Sequence, residues 1–400
     1  MPSEKTRAIA CLATAQVLAL ALWFTSAAVL PEMAAEAGIA PSALAPLATA
    51  VQLGFAAGAL ALAVLGLADR FDPRTVFALS ALTAAAANLA LAVVPVGGTE
   101  AILLRALTGA ALAGVYPVGM KIAVGWGARD RAFLVGLLVG ALTLGSAAPH
   151  LVALGGEGVA GLGWRWVILA TSLLAAAGGG LVLLAGLGPH HARAARFDPG
   201  AIRLAWTEPR IRAAILAYMA HMWELYAFWA WVGAMAATGL GPGGGEAAKA
   251  VAFAAIAAGG LACLPAGWLA DRIGRARVAL LCLTASGAAG AVAAGVFGGP
   301  PGLLIAALVL WGIAVIPDSA LYSTLVADAA PPDRAGSLMT LQTALGFALT
   351  ALSVQILPGI ADSAGWPVAL MTLVLGPVAG AVALRPLLRR ERITGPFSAK

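Results

Sequence analysis

The chain has 400 residues, of which 61% are hydrophobic and 10% charged, against roughly 25% charged in a soluble globular protein. A water-soluble fold could not bury that much apolar surface, so most side chains must face lipid or other helices. The net charge of +6 does not point to nucleic acid, because the basic residues form short runs between apolar stretches, as the positive-inside rule expects.

Twelve apolar stretches are long enough to cross a bilayer, and lipid forces each to satisfy its backbone internally as a helix. The expected spans 1 to 6 are 9–30, 43–66, 75–96, 101–124, 132–154 and 165–187. Spans 7 to 12 are 211–237, 247–269, 277–297, 302–327, 335–357 and 366–388. Met1 to Arg7 is polar and basic, like the start of a signal peptide. The apolar run that follows continues to Leu30, longer than the roughly 7–15 residues of a signal core, so an uncleaved first helix is expected.

Lys5, Arg7, Arg70, Arg74, Arg129, Arg131, Arg193, Arg196, Arg203, Arg210, Arg272, Arg275, Arg277, Arg334, Arg389, Arg390 and Arg392 all fall in one set of loops. The opposite set holds little beyond Arg165 and Lys249. This asymmetry places both termini in the cytoplasm and the chain in the cytoplasmic (inner) membrane. Trp164, Trp166 and Trp366 at outer helix ends, and Trp126 at an inner one, fit interfacial belts. Cys11, Cys263 and Cys282 lie inside apolar spans with no CxxC spacing, so no metal site is expected and they read as small core residues. The longest polar segment divides the chain into an N-terminal six-helix half (1–187), a cytoplasmic linker (188–210) and a C-terminal six-helix half (211–400).

The halves repeat. Leu67-Ala68-Asp69-Arg70 follows span 2, and Leu269-Ala270-Asp271-Arg272 follows span 8, at an offset of 202. Asp130-Arg131-Ala132 opens span 5, and Asp333-Arg334-Ala335 opens span 11, at an offset of 203. Two parallel six-helix halves form a known transporter architecture. Gly267-Trp268-Leu269-Ala270-Asp271-Arg272-Ile273-Gly274-Arg275 resembles the cytoplasmic loop signature of the major facilitator superfamily. The first copy departs from it, because Asp72-Pro73 interrupts its second half. The resemblance extends over essentially the whole chain and implies an all-α membrane fold of twelve helices.

Asp69 and Asp271, with Arg70 and Arg272, are the gate candidates. A carboxylate at the cytoplasmic mouth would find a favourable partner in a helix N-terminus of the other half. The simpler alternative is a pair of charges that stop helices from sliding. Arg105, with Gly109 and Gly114, resembles the family's span 4 signature, which implies a cavity arginine used in proton coupling or substrate binding. Snorkelling to the outer interface is the alternative.

Span 7 carries His221 and Glu224 one turn apart on one face, extended by Phe228 and Trp231. An intramembrane carboxylate is a functional-site candidate by default, and desolvation favours its protonated form. A structural pair bonding across helices is the alternative. Span 10 carries Trp311, then Pro317, Asp318 and Tyr322. Pro317 removes a helical hydrogen bond and can free carbonyls, which makes Asp318 a second proton or cation candidate. Gln16, Trp23 and Gln342 could line a cavity or glue helices. In span 5, Gly136, Gly140, Gly145 and Pro149 lack the Gly-Pro pair of the family's antiporter signature, and His150 reads as an interface residue.

There is no GxxxxGK[ST] and no HExxH, so neither ATP-driven transport nor a metalloprotease is indicated, and no cofactor is expected. These readings converge on a monomeric secondary transporter of a small solute by alternating access, coupled to protons. A membrane sensor with the same fold, marked by a large soluble signalling segment, and a uniporter without proton coupling are the alternatives. The nitrate branch of the family uses arginines in spans 2 and 8, and neither span contains one.

Overall fold

The computed structural model describes residues 3–127, 130–155, 161–191, 198–331 and 333–394. Arg129, Arg193 and Arg196 lie outside the described residues, as does the Arg392 side chain. All described regular structure is helical. Ten helices are long and apolar enough to cross a bilayer. Spans 1 and 7 complete the twelve, and each falls short of that test for a physical reason. Span 1 is interrupted between Glu4–Leu20 and Thr25–Ala28, after which Leu30–Ala37 carries the chain out. Span 7 is a single helix, Pro209–Leu240, but His221, Glu224 and several Trp and Tyr residues lower its hydropathy.

An even number of crossings puts both termini on one face. On the opposite face the carboxyl of Glu36 accepts from Arg165 and Trp164 at 2.7 Å each. Arg165 first, and then Trp164, hold that carboxyl down at about 2. Trp164 is therefore mostly buried rather than part of an interfacial belt. Trp126 is equally buried and donates to the Gly186 carbonyl at 2.9 Å. On the terminal face, span 12 ends at Ala383 and a separate basic helix follows, Arg385–Thr394. The segment between the halves holds a short helix, Ala201–Thr207. Asp198 there pairs with Arg334 at 3.0 Å, and its backbone N–H donates to Ser337 at 2.9 Å.

Glycines set the packing inside each half. A Cβ on Gly54 of span 2 would lie 2.0 Å from the Ala106 carbonyl of span 4, and one on Gly109 would meet Val51 O at 2.0 Å. The second half repeats this between spans 8 and 10, where a Cβ on Gly259 would lie 2.4 Å from Gly312 O and one on Gly312 would lie 1.9 Å from Ala255 O. The sequence repeat thus extends to backbone contacts. Small residues permit this approach, which lets van der Waals packing hold helices together where lipid offers no hydrophobic drive. The halves meet along span 5 against span 8, through Gly140, Thr143 and Gly260, and along span 2 against span 11.

Candidate functional site

Three of the helices that meet at the centre are broken there. Span 1 loses helical pairing over Ala21–Phe24, span 4 between Thr99–Leu112 and Tyr116–Gly125, and span 10 between Pro301–Val315 and Ser319–Ala329. Each break disturbs the helical pairing of backbone carbonyls that lipid cannot satisfy, so turns within the chain or side chains must do so.

Arg105 serves the break in span 1. Its guanidinium donates to Leu22 O at 3.1 Å, Trp23 O at 2.6 Å and Asn88 Oδ1 at 3.2 Å. A cation at the C-terminal end of a helix also meets the negative end of its dipole. Arg105 is fully buried, so it does not snorkel. Its hydrogen bonds stay within the N-terminal half, and it is not a partner of Glu224.

Span 10 breaks at Pro317, as the sequence indicates, and Asp318 sits at the start of the following helix. Asp318 Oδ2 accepts from Tyr322 at 2.7 Å. Its Oδ1 lies 3.1 Å from His221 Nδ1, an ion-pair separation without hydrogen-bond alignment. His221 therefore faces Asp318 rather than Glu224. Tyr218 and Tyr322 flank the imidazole, with centroids 6.2 and 5.3 Å away.

Glu224 is fully buried and both oxygens are used. Trp311 Nε1 donates to Oε1 at 2.7 Å, and Ser286 Oγ lies 3.0 Å from Oε2. Ser286 Oγ is also 3.1 Å from Leu283 O, and one hydroxyl proton cannot serve both. With Glu224 ionised, Ser286 donates to it. With Glu224 protonated, the acid donates to Ser286 and Ser286 donates to Leu283 O. The pocket can satisfy either protonation state without moving a heavy atom, which few buried carboxylate sites allow.

Between the halves lies an aromatic cluster. Trp23 packs on Phe55 at 4.7 Å and on Tyr226 at 5.6 Å, Phe55 on Phe347 at 4.4 Å, and Phe24 on Trp229 at 5.8 Å. Buried polar atoms without partners occur on the central helices: His221 Nε2, Gln16 Oε1, Trp229 Nε1 and both side-chain amide atoms of Gln342. Gln16 does donate to Leu138 O at 2.8 Å. His150 is buried rather than interfacial.

A sequence model of the Major Facilitator Superfamily matches the chain over residues 12–263 and again over 214–399. The chain belongs to that superfamily. Among solved structures, a bacterial homologue of the human lysosomal transporter Spinster, in an inward-facing and occupied conformation, shares 15% identity. It superposes with a TM-score of 0.72 over 97% of this chain and 98% of that one. The xylose transporter XylE of E. coli, partially occluded and inward open, matches at 12% identity and a TM-score of 0.72, covering 97% and 99% of the two chains. The proton:xylose symporter XylE bound to 6-bromo-6-deoxy-D-glucose matches at 13% and 0.73, covering 97% and 96%. No curated protein shows significant sequence similarity. At these identities the likeness shows a major facilitator fold of two six-helix halves.

The superfamily loop motif has unequal surroundings in its two copies. Asp69 pairs with Lys121 of span 4, in its own half, and Arg70 is exposed. Asp271 is exposed and makes no side-chain hydrogen bond or ion pair with another described residue. Arg272 stacks on Trp268, 3.4 Å from the ring centroid, and Arg275 pairs with Asp328. Among the described residues, Asp271 makes no side-chain bond to a helix start of the opposite half.

The sequence reading overlooked Asn88, Ser286 and Lys121. Asn88 was detectable, as the lone amide in an alanine-rich span is a polar group that must find a partner. Ser286 carried no such signal, because serine commonly bonds back to its own helix.

Proposed function

We propose that the chain is a secondary active transporter of a small solute, working by alternating access and coupled to protons. The observation that carries this reading is the pair of buried acids on spans 7 and 10. Glu224 has hydrogen-bond partners suited to both of its protonation states, and Asp318 sits at a helix break against His221 and Tyr322. An intramembrane carboxylate without a permanent cationic partner favours taking up a proton. One structural neighbour is described as a proton:xylose symporter; this supports the coupling ion and leaves the solute open. In this scheme residues 1–187 and 211–400 rock as two bodies joined by 188–210. Asp69, Arg70, Asp271 and Arg272 act as the cytoplasmic latch. The protein sits in the inner membrane with both termini cytoplasmic.

Two experiments test this. Reporter fusions after Arg74, His191 and Arg392 should read cytoplasm, and fusions near Gly97 and Gly243 the outside; inversion at the 188–210 segment sinks the two-body scheme. In proteoliposomes with an entrapped pH dye, adding a transported solute from a metabolite panel should move protons with it. Asp318→Asn should slow that signal, because it removes the carboxylate beside His221. Solute uptake with no proton signal in the wild type would make the protein a uniporter or couple it to another ion.

A further inference from the structure

On the face opposite the termini, a cavity of about 190 Å³ opens between the halves. Its walls include Glu32, just beyond span 1, His150 of span 5, Gly233 of span 7, and Glu246 and Lys249 of span 8. Lys249 Nζ reaches across the halves to Glu32 Oε1 at 3.0 Å, and to Glu246 Oε1 of its own helix at 3.1 Å. The pair is therefore an ionic tie between the two bodies, placed where a solute would enter or leave.

The tie leaves two buried polar atoms unused. Glu32 Oε2 and His150 Nε2 have no hydrogen-bond partner, and His150 is only 2% exposed. Gly233 of span 7 faces its ring, and a Cβ there would sit 3.7 Å from the imidazole. Two carboxylates and one ammonium give the lining a formal excess of one negative charge. With its proton on Nδ1 the imidazole presents a lone pair at Nε2, and a lone pair beside a carboxylate oxygen in one small cavity calls for a group with several N–H donors and no acceptor; an ammonium has that inventory. A carboxylate or phosphate would meet Glu32 and Glu246 at close range.

We propose that this cavity binds a small primary ammonium solute, which takes Glu32 from Lys249, engages His150 and so releases the tie between the halves. Lys249 is then a built-in stand-in for the solute, and binding and opening are one exchange of cations. This inference rests on the transporter reading and names the charge class of its solute.

The test uses the purified full chain in detergent with n-butylammonium as probe, and butyrate and n-butanol as size-matched controls, read by isothermal titration. The wild type should bind n-butylammonium and neither control. Lys249→Met removes the competitor and should tighten binding roughly tenfold. Glu32→Gln should abolish it, and Gly233→Leu, which fills the cavity without touching the ion pair, should do the same. Equal binding of butyrate, failure of Lys249→Met to tighten binding, or unchanged binding in both Glu32→Gln and Gly233→Leu would overturn the proposal. Equilibrium binding does not require transport. A protein that binds the probe yet moves no solute overturns the transporter reading alone, while one that moves other solutes but never binds the probe overturns this site alone.

Discussion

Glu224→Gln is expected to leave the protein folded and able to exchange solute, while abolishing accumulation driven by a pH gradient. The amide reproduces the hydrogen bonding of the protonated acid. Its oxygen accepts from Trp311 Nε1, and its NH₂ donates to Ser286, whose own proton turns to Leu283 O. The amide carries one N–H more than the acid and the pocket offers it no acceptor, at about 1–3 kcal/mol, so melting should shift down by a few degrees. Coupling is another matter. A side chain that cannot ionise has no proton to release, and the accumulation ratio should collapse toward one, a fall of up to about tenfold for one proton per solute under a one-unit pH gradient. Glu224→Ala is the contrasting variant. It strips a buried indole N–H of its partner, at about 1–3 kcal/mol, and leaves a cavity where the carboxyl stood, while Ser286 turns to Leu283 O; it should destabilise the protein as well as uncouple it. Proteoliposome accumulation under an imposed gradient, compared with counterflow exchange without one, separates the two effects. If Glu224→Gln still concentrates solute, Glu224 does not carry the proton, and the role passes to Asp318.

The superfamily fold was legible because membrane physics leaves few alternatives. Twelve apolar runs, the arginine asymmetry and the repeated Leu-Ala-Asp-Arg required no knowledge of side-chain contacts. The central ionisable residues were legible for a related reason: Glu224, Asp318 and Arg105 stand out in apolar spans, where a charge demands an explanation. Their partners were not. Helical spacing set His221 beside Glu224, but the Pro317 break turns Asp318 toward His221, and Glu224 is left to Trp311 and Ser286 from two other helices. Spacing describes one helix, whereas these pairings depend on how spans 7, 9 and 10 are arranged. The break in span 1 was hidden too. Ala21 to Phe24 reads as good helix, and nothing local requires it to unwind. Its stabiliser, Arg105, lies more than 80 residues further along the chain.

That dependence makes Arg105 the residue whose loss should cost most in stability. Its guanidinium holds Leu22 O, Trp23 O and Asn88 Oδ1 in a fully buried site. Arg105→Met keeps much of the volume but removes every donor. At about 1–3 kcal/mol for each buried acceptor left bare, three acceptors amount to several kcal/mol, and the melting temperature should drop on the order of 10 °C. Arg105→Lys retains the charge but not the planar fork that reaches two carbonyls and an amide together, so it should fall between wild type and Met. Asn88→Ala tests the same network from its other end. Residues sharing one hydrogen-bond network couple, so the Arg105→Met, Asn88→Ala double variant should lose less stability than the two single losses added together. Thermal unfolding of detergent-purified protein, followed by tryptophan fluorescence, gives all four values. The functional alternative predicts the opposite pattern. If Arg105 were held ready for an anionic solute, Arg105→Met would melt like the wild type, show no coupling to Asn88 and lose only transport. An unchanged melting temperature would therefore move Arg105 from the support of the span 1 break to the solute path.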